Sequence, residues 1–197
     1  MNPTTTAGRG AAVRTSLTHP LRIDEVVAGG EGGRIGITFC PGKCGPSGSG
    51  YFWQRDLAAD LDMVVAWEPK AVVTLIEAHE FAMLGVTGLG TQIVQRGVAW
   101  LHMPIVDVNP PDTRFEVAWA EHGRHLGETL RQGGRVLVHC RGGLGRAGTA
   151  AARLLIELGV APLDAVARVR AARPRAIETA DQLRYVLGLG RSNSDAH

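Results

Sequence analysis

Two short apolar runs constrain this chain most: AVVTLI (residues 71–76) and RVLVH (residues 135–139). The first is apolar throughout and rich in β-branched side chains, the mark of a strand buried on both faces. Such a strand needs helices on either side, and the sequence offers them. In WQRDLAADLDMVVAWEPK, Leu57, Leu61, Val64 and Val65 recur at helical spacing and Pro69 closes the run. In TRFEVAWAEHGRHLGETLRQ, Phe115, Trp119, His122, Leu126 and Leu130 share one face, with Asp112 as the expected N-cap. A short helix is expected from His79, and three more over residues 146–158, 163–172 and 178–187. Further strands are expected over 21–27 (at an edge), 34–39 and 98–106. This alternation predicts a single α/β domain over residues 21–190, with a mostly parallel central sheet flanked by helices. Residues 1–20 are small, polar and aperiodic and are read as disordered, and 191–197 as a flexible tail. The loop CPGKCGPSGSG is read as irregular because Gly, Pro and Ser dominate it.

The bulk properties exclude several classes. A chain of 197 residues suits one domain with a full core, and a 45% hydrophobic, 20% charged composition is that of a soluble globular protein. A net charge of +2 gives no electrostatic case for nucleic acid. No apolar run approaches a membrane span, and the N-terminus lacks the apolar core of a signal peptide, so a cytoplasmic monomer is expected. Three cysteines (Cys40, Cys44 and Cys140) are too few for a secreted disulfide scaffold.

After the second apolar run comes HCRGGLGRAGTAAARLL. Gly143, Gly145 and Gly148 spell the G-x-G-x-x-G of a dinucleotide loop. That reading needs a further strand and an acidic residue at its end, and only helix-like segments follow. A Walker loop fails as well, because Thr149 stands where its lysine belongs. The second reading is Cys-x5-Arg, from Cys140 to Arg146. The amides of Arg141, Gly142, Gly143, Leu144, Gly145 and Arg146 would form an anion nest at a helix N-terminus. That field favours a thiolate at Cys140, and Arg146 brings a planar fork matched to phosphate oxygens. A nucleophile beneath a ring of donors is a site for phosphoryl transfer.

VHCRGGLGRAG resembles the signature of the cysteine-dependent protein tyrosine and dual-specificity phosphatases, and is most similar to the branch of the cyclin-dependent-kinase-associated phosphatase. The resemblance runs over residues 36–187 and is strongest at MPIVDVNPPD, the cysteine loop and AIETADQ. It implies a dual-specificity phosphatase-like fold and hydrolysis of a phosphate monoester through a cysteinyl-phosphate. The substrate it implies is a phosphorylated protein, carrying phosphotyrosine or another phosphoresidue. A phosphoinositide or small phosphate ester, and a slow phosphate-reading module, are the alternatives. No metal or organic cofactor is implied.

The resemblance also assigns roles. Asp107, 33 residues before Cys140, is the expected general acid, with Asp112 the competitor better suited to capping a helix. Gln182 matches the glutamine that places water, and Glu178 stands where another glutamine is common. His139 is expected to hydrogen-bond carbonyls of the loop and support the thiolate. Arg141 adds a charge that suits an acidic or multiply phosphorylated substrate, or else faces solvent. Lys43 and its loop are expected at the rim, and Cys40 and Cys44 are a candidate regulatory pair. His79, His102, His122 and His125 show no metal-ligand spacing. One departure matters: Ala147 follows Arg146, where relatives carry Ser or Thr. Thr149 lies about 200° further around the helix and cannot replace that hydroxyl. Formation of the phosphoenzyme is then expected to survive and its breakdown to be slow.

Overall fold

A computed structural model of the chain describes residues 12–29, 31–48 and 50–190. The strands are β1 (Val13–Arg14), β2 (Asp24–Gly29), β3 (Gly33–Phe39), β4 (Cys44–Pro46), β5 (Phe52–Gln54), β6 (Ala71–Thr74), β7 (Ala99–His102) and β8 (Arg135–Cys140). The helices are α1 (Leu57–Ala66), α2 (Ala78–Met83), α3 (Leu89–Gln95), α4 (Thr113–Arg131), α5 (Gly145–Glu157), α6 (Pro162–Ala172) and α7 (Ala180–Gly188). The central sheet runs β2-β3-β8-β6-β7, parallel except for the β2–β3 edge pair. This is the expected α/β architecture.

The two runs that anchor the sequence lie side by side at the middle of the sheet. Along β8 the side chains alternate between two cores. Val136 and Val138 pack on the side of α4, α5, α6 and α7, while Leu137 packs with Leu61, Val64 and Ile93 of α1 and α3. Helix α5 is buried along nearly its whole length, and its run of Ala147, Ala150, Ala151 and Ala152 lets it lie close against its neighbours. Phe39 of β3 stands opposite Cys140, and Thr74 of β6 opposite His139. Three parallel strands therefore end at one level, and α5 starts just beyond them. In open α/β sheets ligands bind at these carboxyl ends.

Several expectations are corrected. The segment read as helical from Trp53 begins as β5, and the helix starts only at Leu57, where the Asp56 side chain accepts from the Ala59 amide as N-cap. The loop read as irregular contributes β4, which pairs antiparallel with β5, and β1 joins β5 in parallel. A second, three-stranded sheet in the order β1-β5-β4 results. Residues 12–20 are thus part of the fold rather than disordered, whereas 1–11 and the tail 191–197 lie outside the described residues. The strand expected over 98–106 is β7 alone, and a helix not anticipated, α3, precedes it. On α4 the buried face is completed by Gly123 and Gly127, with His122 only half-buried.

Candidate active site

Cys140 closes β8, and the turn from Arg141 to Leu144 leads into α5. Its Sγ accepts a hydrogen bond from the Gly143 amide at 3.2 Å. Gly143 sits at φ +69°, and a Cβ there would come within 2.4 Å of the Thr38 carbonyl oxygen, so only glycine fits. The turn's carbonyls are held on its outer side. Arg173 donates from Nε to the Gly143 carbonyl (2.5 Å) and from Nη2 to that of Gly142 (3.1 Å). Lys43 Nζ donates to the Arg141 carbonyl at 3.1 Å. In a trans peptide the N–H points opposite the C=O. Pinning these three carbonyls outward therefore turns the amides of Gly142, Gly143 and Leu144 inward, and the free amides at the start of α5 add to them. The nest is built by two cations working from outside.

Arg146, in the first turn of α5, is 1% exposed. Its guanidinium makes a two-pronged pair with Glu80 (2.5 and 3.0 Å), donates to the Ile105 carbonyl (3.1 Å) and meets Asp107 Oδ1 at 2.9 Å. Burial works against the charge on Arg146, but the hydrogen bonds it donates to Glu80 and the nearby anions outweigh it and hold its pKa above the ordinary value. Glu80 is fixed in turn by the capping box of α2, where it accepts from the Glu77 amide at 2.8 Å. Burial raises the pKa of Glu80, yet the Arg146 and Glu77 hydrogen bonds prevail and keep it below the usual carboxylate range.

The structure brings Asp107 to the cysteine cavity, half-exposed, on a turn in which Val108 takes φ +56° and its amide donates to Asp107 Oδ1. Asp112 is used otherwise. It caps α4, accepting from the Arg114 and Phe115 amides, and the Arg114 hydrogen bond leads the interactions that lower its pKa. Gln182 is fully buried rather than an exposed helical residue. Its Oε1 accepts from the Glu178 and Thr179 amides, and its Nε2 donates to the Asn109 carbonyl. The acceptor atom on which a water-placing role would draw is therefore occupied, and the side chain ties α7 to the Asp107 turn. Only one amide hydrogen of Gln182 is left for other use.

His139 is buried, and its Nε2 bonds to the Thr74 hydroxyl (2.7 Å) across β6 and β8. Burial pushes its pKa down to about 3, so the ring is neutral. Lys43 is buried at the cavity wall, its ammonium 4.5 Å from the Phe39 ring and 4.7 Å from the Trp53 ring. Desolvation lowers its pKa to about 8, against the pull of Cys40 and Cys140. Cys40 and Cys44 are free thiols, and burial pushes Cys40 well above the usual thiol range. Ala147 is fully buried, and the Thr149 hydroxyl donates to the Gly145 carbonyl at 2.9 Å, one turn back along α5. Arg141 and Glu178 are exposed at the cavity. Among the described residues no group of three or more His, Cys, Asp or Glu is placed to hold a metal ion, and no helix is long and apolar enough to cross a membrane.

Sequence reasoning missed Glu80, Thr74 and the Arg173–Asp24 pair (2.5 Å). Glu80 had a local signal, the Glu77-x-x-Glu80 spacing of a capping box. Its pairing with Arg146, 66 positions away, had none.

Known proteins resemble this chain in sequence and fold. A family model described as PTP-SAK, Swiss Army Knife protein, DSP-PTPase phosphatase domain, matches residues 54–186. Cyclin-dependent kinase inhibitor 3 of Mus musculus is 29% identical over 135 residues, which are 68% of this chain and 63% of that protein. The chain thus spans less than two thirds of that relative's length. The crystal structure of kinase associated phosphatase, with serine at its catalytic-site cysteine, has a TM-score of 0.76 over 90% of this chain and 98% of its own. At 24% identity this is a likeness of fold. Tk-PTP in its active form has a TM-score of 0.62 and 30% identity, covering 85% of this chain and 97% of that one.

Proposed function

The chain belongs to the cysteine-dependent protein tyrosine and dual-specificity phosphatase superfamily, and from this we infer that it hydrolyses phosphate monoesters through a phosphate bound covalently to Cys140. The observation that carries the reading is the convergence of Cys140 Sγ, inward-turned amides and the buried Arg146 on one cavity that Asp107 also lines. The Cys140 thiolate attacks phosphorus, and a P–S bond forms as the bond to the leaving oxygen breaks. The loop amides and Arg146 hold the three equatorial oxygens, where charge collects in the transition state. Asp107 gives its proton to the leaving oxygen. Water then attacks phosphorus, its proton passes to the Asp107 carboxylate, and the P–S bond breaks to release phosphate and the thiolate. Gln182 acts by joining the Asp107 turn to α7 and offers at most one N–H to the incoming water.

The preferred substrate is a phosphoprotein, tyrosine- or threonine-phosphorylated, in line with the kinase-associated name of the structural relative. Ala147 supports a second reading. With the Thr149 hydroxyl held by the Gly145 carbonyl, no hydroxyl follows Arg146 to receive the departing thiolate, which suits a slow enzyme that reads phosphate more than it releases it. The test pairs wild type with C140S and D107N on an aryl phosphate. C140S is expected to be inactive and D107N slowed about a hundredfold or more. Acid quench followed by mass spectrometry should find phosphate on Cys140 in wild type. Turnover retained by C140S would overturn the assignment.

A further inference from the structure

Arg173 aims the amides of the cysteine turn, and its own side chain must be held for that aim to last. Its guanidinium has three nitrogens, and each has a partner. Nε donates to the Gly143 carbonyl (2.5 Å), Nη2 to the Gly142 carbonyl (3.1 Å) and Nη1 to Asp24 Oδ2 (2.5 Å). The side chain is 14% exposed, so water competes for these bonds. The third partner is an anion, and a hydrogen bond to a charged acceptor is about twice as strong as one to a neutral carbonyl. Of the three contacts, the one to Asp24 therefore does most to fix the plane of the guanidinium.

Asp24 is itself out of place by local rules. It opens β2, the edge strand of the central sheet, where it pairs with Ile37 of β3. Aspartate is a poor strand former, and a buried carboxylate is costly unless it is paired. Asp24 is 7% exposed, and both its oxygens are used, Oδ1 by Arg22 Nε and Oδ2 by Arg173. Arg22 and Arg173 are the charged groups that face it. Arg22 is largely exposed, whereas Arg173 leads straight to the site. The carboxylate reaches Arg173 across 149 positions of the chain.

We propose that Asp24 is a positioning residue for phosphoryl transfer: it fixes Arg173, which keeps the Gly142 and Gly143 carbonyls outward and the amides of Gly143 and Leu144 inward. This rests on the cysteine-phosphatase reading above. Each step of the chain is a contact already described. The Gly142 carbonyl and the Gly143 amide belong to one peptide plane, so pinning the first aims the second at Cys140 Sγ, 3.2 Å away. The Gly143 carbonyl does the same for the Leu144 amide. Asp24 touches neither substrate nor the reacting atoms. Its negative charge acting directly across space would oppose both a thiolate and a bound phosphate. A benefit from Asp24 to either must therefore pass through Arg173, and this fixes the sign of the test.

The test uses two readouts that need no turnover: calorimetry of sulfate binding, and the pH profile of Cys140 alkylation by iodoacetamide, followed by mass spectrometry. In D24N, sulfate affinity should fall about fivefold or more, and alkylation on the acid side of the profile should slow by a similar factor. Removing a negative charge would by itself change both in the opposite direction. D24S, smaller and also neutral, should show the same losses and serves if D24N does not fold. R22A removes the other partner of Asp24 and should leave both readouts within about twofold of wild type. In an R173M background D24N should cause no further loss, because the two residues act in series. Lys43, Arg146 and Cys40, which also act on Cys140, are unchanged in every variant. Sulfate binding that is unchanged or tighter in D24N and D24S overturns the proposal, and so does a full D24N loss that persists in R173M. C140S separates the two levels. If it still turns over aryl phosphate, the cysteine reading has failed. If it is inactive while D24N matches wild type in both readouts, the positioning role alone has failed.

Discussion

Replacing Glu80 with glutamine tests how the buried Arg146 is supported. In the native protein the two guanidinium nitrogens each meet one Glu80 oxygen, at 2.5 and 3.0 Å, with both side chains almost wholly out of water. Glutamine keeps the volume and one acceptor oxygen. Its amide group, however, faces a guanidinium N–H donor to donor, and a full charge disappears from beside Arg146. Removing one partner of a buried ion pair costs about 3–5 kcal/mol, because the other charge is left without its counterion. Arg146 retains the Ile105 carbonyl and the half-exposed Asp107, which places this case near the lower end, about 3 kcal/mol. For a domain of this size that corresponds to a fall in melting temperature of roughly 6–12 °C.

Urea unfolding followed by tryptophan fluorescence measures the loss directly. Its pH dependence supplies a sharper check. The Glu80 pKa is lower in the folded chain than its unfolded value of about 4.3. Its contribution is therefore complete above that value and disappears as pH falls through the folded one. The gap between wild type and E80Q should narrow as the medium is acidified below about pH 4. Aryl phosphate kcat/KM should drop about a hundredfold at neutral pH, since a guanidinium displaced by an ångström no longer fits the phosphate oxygens. A stability difference under about 1 kcal/mol at neutral pH, or one that persists unchanged into acid, would refute the reasoning.

Two further outcomes follow from the site. Wild type should show a burst of aryl alcohol followed by slow steady turnover, and A147S should raise the steady rate several-fold, with a stability cost of about 1 kcal/mol for placing a hydroxyl at a fully buried position; single-phase progress curves unaltered by A147S would remove this account. Lys43 should make anion binding weaken as pH rises through its pKa of about 8, because the ammonium that faces Cys40, Cys140, Arg55 and Arg141 is then lost; calorimetry of sulfate binding to C140S should show affinity falling by about threefold or more between about pH 7 and about pH 9, and C140S/K43M should show no such step.

The parts of the fold legible in the sequence are those whose signal is local. AVVTLI and RVLVH announce themselves by composition, and the central strands β6 and β8 lie where they do. Asp112 reads as an N-cap from its neighbours alone, and it caps α4. Asp107 and the Cys140–Arg146 loop are separated by a helix and a strand, yet each sits in a motif of its own, and they meet at Arg146. What escaped the reading depends on distant partners. The glycine and proline of CGP look like a loop, but pairing with Phe52–Gln54 makes the segment a strand, and β1 pairs along the other edge of β5. Non-local pairing overrides weak local preference in this way. Lys43 and Arg173 have no motif at all. Their function is to hold carbonyls of a turn that lies 98 residues from Lys43 and 30 from Arg173 along the chain, and only the folded chain brings those atoms together.

The same distinction explains why a dinucleotide fingerprint occurs in a chain that does not continue as one. A fingerprint of three glycines is read as a backbone that must approach a pyrophosphate. In this fold each glycine answers to the protein instead. Gly143 turns the loop at positive φ beneath the Thr38 carbonyl. A Cβ on Gly145 would lie 2.8 Å from the Gln182 amide nitrogen, and one on Gly148 would lie 2.8 Å from both the Ala176 Cβ and the Ile177 nitrogen. The last two glycines thus let α5 approach the segment that carries Arg173, Arg175 and Gln182. Closing that distance allows Arg173 to reach the carbonyls of Gly142 and Gly143 and turn the amides inward. The glycine spacing and the anion nest are one device, and a bulkier residue at Gly148 would weaken phosphate binding without touching the phosphate.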